Sequence, residues 1–441
     1  MERNLKSIID NEAKEYAIYT VENRAIPNLI DGLKPVQRFF LYRALELSKQ
    51  GKEKFHKLAS VAGGVADAGY HHGEGSAQEA GALMANTWNN NYPLLDGQGN
   101  FGSRLVQQAA ASRYIFCRVS KNFYDVYKDF EVMQKHEDEE HLPPKFYLPI
   151  IPTVLLNGVR GIATGYSTSI LPHSFASVVE CTKLALKDEL NKEPEVCYPK
   201  FNGTINKTED GSYELIGTYK FTSKTVINIT EVPYKWDRAK YVEKVLDPLE
   251  DAGKITYEDD CSREGFGFKV KLLKEFGLEQ DEFLRHKQIL QEFKLVERVS
   301  QFIVVIDENG KLNDKFENAS DLIKHFVKVR EGFVEKRIEH NKKASREKFN
   351  LALAKAKFIK AVIDGQIIIS GKSKKQLSEE LSSDSLFEPY VSQLIGMSVY
   401  YITTDEYEKL KQEAKRLKEE YDYWCNTTPK VEYLKDLEAI S

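Results

Sequence analysis

The sequence predicts a multidomain, helix-rich α+β protein, and three observations carry that expectation. Apolar residues recur at helical spacing through the N-terminal third. β-Branched, alternating segments broken by turn dipeptides fill the middle. Two long helical repeats close the chain. At 441 residues there is material for two to four domains.

The first helix is expected over Asn4–Asn23, with Leu5, Ile8, Ile9, Ala13, Tyr16, Ala17 and Val21 on one side and Pro27 beyond its end. A second, Val36–Ser48, follows Pro35. A third, Ser76–Asn86, sets Ala77, Ala80, Gly81 and Met84 on one side, and such small residues allow a close approach. Gly97–Gly102 reads as a loop leading to Arg113 and Tyr114. Beyond Pro144 the expected strands are Val226–Thr230, Phe268–Leu273 and Phe302–Ile306. Helices over Ser177–Asn191 and Arg238–Asp247 lie between them. Asn202-Gly203, Asp210-Gly211 and Asn309-Gly310 mark turns.

The last third is the most regular. From Asp321 to Ile363 apolar residues fall at Leu322, Phe326, Val329 and Phe333 and then, past a charged gap, at Ser345, Phe349, Ala352, Ala356, Ile359 and Ile363. Steps of four and three are coiled-coil spacing, with a register shift across the gap. Such a helix is about 65 Å long. A second helix carries Tyr407, Leu410, Ala414, Leu417, Tyr421 and Trp424, with Thr403 and Glu406 as a capping box. Joined by a small globular segment, Ile367–Tyr401, the two predict an antiparallel arm with a knob at its tip.

Composition narrows the function. Hydrophobic residues at 41% and charged residues at 29% are ordinary for a soluble globular protein. No apolar run reaches the roughly eighteen residues of a membrane span, and the N-terminus does not read as a signal peptide. The five cysteines have no paired spacing, so buried thiols in a reducing cytoplasm are expected rather than disulfides or a zinc site. Net charge is −4, yet Arg24 to Lys57 holds eight Lys or Arg against three acids, and Arg104, Arg113, Arg118 and Lys121 follow. Local positive potential of that kind is what a DNA-binding face needs.

The chemistry concentrates in Ala109-Ala110-Ala111-Ser112-Arg113-Tyr114-Ile115-Phe116. A phenol attacks a phosphodiester once its proton leaves and the phosphate charge is neutralised, and the planar fork of Arg113 suits phosphate oxygens. Two other motifs fail. His136 and His141 stand five apart in an acidic loop, not the four of a zincin helix. Gly365 to Gly371-Lys372-Ser373 has one residue too many for a phosphate loop and follows a helix.

Context sharpens the Arg-Tyr pair. Asn23-Arg24-Ala25-Ile26-Pro27 leads to Asp31-Gly32-Leu33-Lys34-Pro35-Val36-Gln37-Arg38. Then come Tyr70-His71-His72-Gly73-Glu74-Gly75-Ser76, Leu95-Asp96-Gly97-Gln98-Gly99-Asn100-Phe101-Gly102 and Ala111-Ser112-Arg113-Tyr114. Gly161-Ile162-Ala163-Thr164-Gly165 and Ile170-Leu171-Pro172-His173 follow. In order and spacing these blocks resemble the breakage-reunion, gyrase A-like subunit of type IIA DNA topoisomerases, with detail closest to its bacteriophage members. The His-His-Gly-Glu and Ser-Arg-Tyr-Ile-Phe forms look more like the eukaryotic enzymes than bacterial gyrase.

The resemblance implies an ATP-hydrolysing type II DNA topoisomerase that is active only with a large subunit. It implies a winged-helix DNA-gate domain with an N-terminal arm over 1–145. A tower domain over 146–316 and an arm over 317–441, with a dimerising tip at about 366–402, complete the fold. Tyr114 looks like the nucleophile, forming a 5′-phosphotyrosyl bond, with Arg113 and Arg24 on the phosphate and His72 hydrogen-bonding nearby. Lys34, Arg38, His71 and Ser76 would contact DNA, and Ile170 would wedge between base steps. The family holds its metal with a Glu and an Asp-x-Asp cluster, and no Asp-x-Asp occurs in this sequence. Mg²⁺ and ATP are therefore expected on the large subunit. The implied partners are double-stranded DNA, the large subunit, and another copy of this chain met at the DNA gate and the arm tip. No membrane is involved, and the host cytoplasm is the expected location.

Two departures matter. Gly75 stands where bacterial members have a serine, although Glu79 matches their acid, so a gyrase-like quinolone response is in doubt. The sequence ends at Ser441, without the repeated β domain that wraps DNA in gyrase, so relaxation or decatenation is expected rather than supercoiling. A non-catalytic winged-helix scaffold, dimerised through its arm, explains the basic stretch and the helices but not Arg113-Tyr114 in this register. A tyrosine recombinase would carry its tyrosine near the C-terminus, whereas Tyr114 lies early.

Overall fold

The computed structural model describes residues 13–49 and 54–440. The beginning of the helix expected from Asn4 lies outside the described residues. The chain divides into two compact units, one running up to Arg330 and taking in the last residues from Asp436, the other Glu331–Lys435. Among the described residues no helix is long and apolar enough to cross a membrane.

In the first unit, helix α1 (Lys14–Thr20) continues as a π-helical turn over Val21–Ala25. Helix α2 (Pro35–Ser48) begins where Pro35 fixes φ and needs no N–H donor. Gln37 Oε1 accepts the Lys34 N–H at 2.9 Å. Strand β1 (His56–Lys57) and helix α3 (Leu58–Gly63) lead to helix α4 (Glu74–Ala85). The small face of α4 does what its composition allows: a Cβ at Gly81 would run into the Phe40 ring of α2. Strands β2 (Leu95–Gln98) and β3 (Phe116–Val119) join β1 in an antiparallel sheet with β3 in the middle. The loop expected over Gly97–Gly102 thus begins only after Gln98, because Asp96, Gly97 and Gln98 pair with Arg118, Cys117 and Phe116. Ladder hydrogen bonds outweigh the weak strand propensity of glycine here.

Helix α5 (Lys121–Val126) precedes the short pair β4 (Tyr127–Lys128) and β5 (Leu148–Pro149). Strands β6 (Val159–Ala163) and β7 (Tyr166–Ile170) form a hairpin. Helix α6 (Phe175–Leu186) stops short of the expected Asn191, and Asp188, two residues beyond its end, has φ of 61°. Strands β8 (Thr204–Lys207), β9 (Tyr213–Ile216), β10 (Thr218–Ser223) and β11 (Val226–Glu231) follow.

The helix expected at Arg238–Asp247 is broken into α7 (Arg238–Tyr241), a π-helical turn over Val242–Leu246 and α8 (Asp247–Asp251). Pro248 has no N–H for the carbonyl of Lys244, which instead accepts from the Lys294 ammonium at 3.3 Å. After β12 (Ile255–Asp259) and β13 (Phe268–Leu272) comes α9 (Glu282–Glu292), whose first turn is capped by Asp281. Strands β14 (Val296–Val299), β15 (Ile303–Ile306) and β16 (Leu312–Phe316) complete the unit's sheets. The larger sheet has the order β10-β11-β13-β12, and a second pairs β14-β9-β8. Ile227, Ile229, Phe268 and Val270 bury one face of the larger sheet against Tyr241 and Phe293.

Helix α10 (Ala319–Ile363) spans the boundary between the units. In the second unit, α11 (Lys374–Ser382), α12 (Val391–Ile395) and α13 (Thr404–Asn426) are followed by α14 (Pro429–Ala439). Leu377, Leu381, Phe387 and Leu394 form a small core with Ala354 and Phe358. Ala352 packs with Ala414 and Leu417 of α13, and Phe349 lies against them. Ile363, expected on the apolar seam of the first arm helix, is instead exposed. Thr403 Oγ1 caps α13 by accepting the Glu406 N–H at 3.3 Å. Gly371-Lys372-Ser373 is a helix start: Ser373 and Gln376 cap each other, and Lys372 pairs with Glu380.

Candidate active site

Tyr114 stands at the end of a turn just before β3, with 66% of its surface exposed. Its N–H closes the turn on the Ala111 carbonyl at 2.9 Å. On either side the backbone is tied to α3: Ala59 donates to the Ser112 carbonyl at 3.3 Å, and Leu58 to the Ile115 carbonyl at 3.0 Å. Ile115 is buried, so the chain is pinned immediately after the tyrosine while the phenol remains in solvent. The Arg113 guanidinium carbon lies 4.6 Å from the Tyr114 ring centre, and Arg113 is itself exposed. Ser112 Oγ donates to Gln78 Oε1 at 2.7 Å, and Gln78 Nε2 donates to Glu74 Oε1 at 2.8 Å.

A second group gathers at the start of α4. The Tyr19 hydroxyl of α1 hydrogen-bonds His72 Nε2, and the rings of Tyr19 and Tyr70 flank that imidazole at 5.7 and 5.5 Å. Arg24, exposed on the π-helical turn, acts electrostatically on Tyr70, and Ser76 lies beside the same phenol. Burial is the larger influence and raises the Tyr70 pKa. Arg24, His72 and Ser76 are thus brought together. His71 is exposed beside them, and the engaged imidazole is His72.

Lys34 and Ser76 line one groove of about 340 Å³ with Glu79, Asn157 and Arg160. Lys34 Nζ donates to the Arg160 carbonyl at 2.7 Å, and partial burial lowers its pKa. Arg38, expected on a DNA phosphate, is a correction. It is buried, and Nε and Nη2 grip the Asp31 carboxylate at 2.6 and 2.9 Å. Asp31 also accepts the Leu33 and Tyr147 N–H groups. Its carbonyl takes the hydroxyls of Tyr127 and Thr153. The motif is a structural knot.

Ile170 is a second correction. It is only 2% exposed at the base of the β6–β7 hairpin, which rules out a wedge there. The hairpin's outward apolar residue is Ile162, 88% exposed, one pair from the turn. Sequence reasoning missed it, although the alternation that buries Thr168 and Ile170 leaves the other face to solvent. Arg104 is likewise not a surface cation. It is buried against Glu231 at 3.1 Å, donates to the carbonyls of Val232, Tyr234 and Trp236, and lies 4.4 Å from the Tyr234 ring centre. Arg118 and Lys121 pair with Asp96 and Asp125. Among the cysteines Cys117 and Cys181 are buried, but Cys425 is exposed, which corrects that part of the expectation.

Among the described residues no three His, Cys, Asp or Glu side chains gather as a metal site. The hydrogen-bonded groups that reach the tyrosine turn are Ser112, Gln78 and, through the Gln78 amide, the Glu74 carboxylate. That donor set does not fit a divalent ion.

Residues 24–439 match the family of DNA gyrase/topoisomerase IV A subunits. The chain is 61% identical over 438 residues to the DNA topoisomerase medium subunit of Enterobacteria phage T4, covering 99% of each. It is 31% identical over 450 residues to the mitochondrial DNA topoisomerase 2 of Dictyostelium discoideum, covering 98% of this chain and 34% of that one. The DNA-binding, cleavage and re-ligation domain of Plasmodium falciparum topoisomerase II superposes with a TM-score of 0.84 at 27% identity, over 98% of this chain and 63% of that one. The match over residues 24–439 and the identity along the whole chain, in a helix-rich α+β frame shared with a topoisomerase cleavage domain, place this chain in the gyrase A-like family of type II DNA topoisomerase subunits.

Proposed function

We propose that this chain is the DNA-cleaving subunit of a type IIA topoisomerase and that Tyr114 is its nucleophile. The observation that carries the reading is the turn itself: a solvent-facing phenol with a guanidinium against its ring, on backbone pinned at both sides. In the step proposed, Tyr114 Oη attacks a DNA phosphorus and the P–O3′ bond breaks. The phenol gives up its proton as the departing 3′ oxygen takes one up. One ester replaces another, so the 3′ hydroxyl reverses the step by attacking the 5′-phosphotyrosyl bond. Arg113 offsets charge on the phosphate, a contribution of roughly 3 kcal/mol for one well-placed donor. Arg24 and His72, held together around Tyr70, supply further phosphate contacts.

The helices packed on the β1-β3-β2 sheet serve as a winged helix, with α4 in the DNA groove. Ser76 lies on that helix with His71 and Lys34 near it, and Ile162 replaces Ile170 as the residue that wedges between base steps and bends the duplex. The domain reading keeps 1–145 as this DNA gate, 146–316 as a tower and 317–441 as a coiled-coil arm with its dimer contact near 366–402. Mg²⁺ and ATP belong to a large partner subunit, and two copies of this chain make the double-strand break. Relaxation or decatenation suits the likeness to eukaryotic DNA topoisomerases 2.

The test is covalent trapping. The chain, its large partner, supercoiled plasmid and Mg²⁺ are mixed and stopped with detergent, alongside Tyr114→Phe. Linear DNA with protein on its 5′ ends, lost in the variant, is the expected result. An active partner with no adduct would leave the non-catalytic scaffold as the function.

A further inference from the structure

The hydrogen-bond chain Glu74–Gln78–Ser112 has no part in the step just described, yet it ends one residue before the arginine and two before the tyrosine. Every bond in it has a fixed direction. Glu74 Oε1 accepts, so the Gln78 amide turns its NH₂ toward it. The amide oxygen then faces Ser112, and the serine hydroxyl spends its one proton there. Ser112 is half-buried, whereas Arg113 and Tyr114 are exposed. The backbone bonds to Ala59 and Leu58 tie the turn to α3, and the Ser112–Gln78 bond ties it to α4. Helix α4 also carries Ser76, beside Tyr70 in the cluster that holds His72. Its first turn therefore touches both halves of the candidate site.

We propose that Gln78 is a positioning residue for Tyr114: it fixes the tyrosine-bearing turn against helix α4, so that seating α4 on DNA also aims the phenol at the phosphate. The inference rests on the reading of Tyr114 as the nucleophile. Gln78 touches no reacting atom. It acts through Ser112, and its removal leaves the turn tied to α3 alone. A misplacement of about 1 Å at an attacking atom costs on the order of 100-fold in rate.

The experiment uses the chain assembled with its large subunit, plasmid DNA and Mg²⁺, and measures DNA affinity separately from the single-turnover rate of adduct formation at saturating DNA. Gln78→Leu, which keeps size but loses both bonds, is expected to slow adduct formation by about 10- to 100-fold with DNA affinity within about two-fold. Ser112→Ala is expected to do the same, and the double variant to be no slower than the slower single, since both break one link. Ser112→Thr, which keeps the hydroxyl, should restore the rate. Thermal unfolding of each variant separates a lost fold from a lost alignment. If Gln78→Leu keeps the wild-type rate while Tyr114→Phe abolishes the adduct, the positioning role is overturned and the nucleophile stands. Losses that multiply in the double variant also overturn it. A wild-type assembly with no Tyr114-dependent adduct overturns both readings.

Discussion

The stretch from Asp31 to Arg38, which runs into α2, and the turn from Ser112 to Tyr114 belong to the same compact unit and carry the same chemistry of arginine, hydroxyl and carboxylate. In the first, every group is consumed. Asp31 takes the Arg38 fork and two backbone N–H groups, and its carbonyl takes two hydroxyls. In the second, Ser112 is spoken for while Arg113 and Tyr114 face solvent. Desolvation separates the two. A charge taken out of water must be matched inside the protein, and once matched it has nothing left for a ligand. An arginine kept in water can still neutralise a phosphate.

Substitutions can break this contrast or sharpen it. The largest effect belongs to the phenol: Tyr114→Phe should lower adduct formation by more than roughly 10⁴-fold while unfolding stability stays within about 0.5 kcal/mol. Asp31→Ala should do the reverse. It strands Arg38 in the interior, at a cost of about 3–5 kcal/mol in a denaturant titration, with the salt dependence of DNA binding unchanged. A change in that salt slope would mean Arg38 reaches DNA after all. Arg113→Ala should cost about 100-fold in single-turnover cleavage with little change in melting temperature.

The same contrast predicts a pH effect. His173 is buried with Nδ1 at 3.1 Å from the Leu155 carbonyl, and burial pushes its pKa down to about 4 from the usual 6.5. His141 is pushed down to about 4 as well, again chiefly by burial. Between pH 4 and 6.5 the unfolded chain binds protons that the folded one refuses. Stability is therefore complete above about pH 6.5 and declines as pH falls toward 4, by up to about 3 kcal/mol for His173. Denaturant titrations across that range read it, and His173→Gln should flatten part of the slope. The smallest effect compares the hairpin isoleucines. Ile170→Val should cost about 1 kcal/mol of stability, and Ile162→Val close to nothing, while Ile162→Ala should reduce DNA bending in a fluorescence-transfer assay.

Much of the fold was legible because periodicity reports burial directly. Helices α2 and α4 sit within two residues of expectation, and Gly81 does allow the close approach its helix face advertised. Where the reading failed, the deciding partner lay far along the chain. Asp31 captures Arg38 with help from Tyr147, which no local pattern announces. Arg104 looked like a surface cation until Glu231 and the Tyr234 ring enclosed it. Ile162 and Ile170 are equally apolar, and the bonds that Thr168, Ser169 and Leu171 make to the distant Ser300–Val304 segment, at the foot of the hairpin, decide which end is covered. The helix expected at Arg238–Asp247 takes no account of the neighbouring Pro248, whose missing N–H marks the break locally.

The buried Arg104 has one more consequence, for chain length. It anchors one end of the loop before the tyrosine, and the Ser112 and Ile115 backbone bonds anchor the other. Asn100 accepts from Ala110, and Ser103 donates to Val106, which takes up the slack between. One inserted residue adds about 3.5 Å of chain with neither anchor free to yield. Exchange of the exposed side chains between the two anchors is therefore expected to cost less than one residue added to the interval from Arg104 to Tyr114.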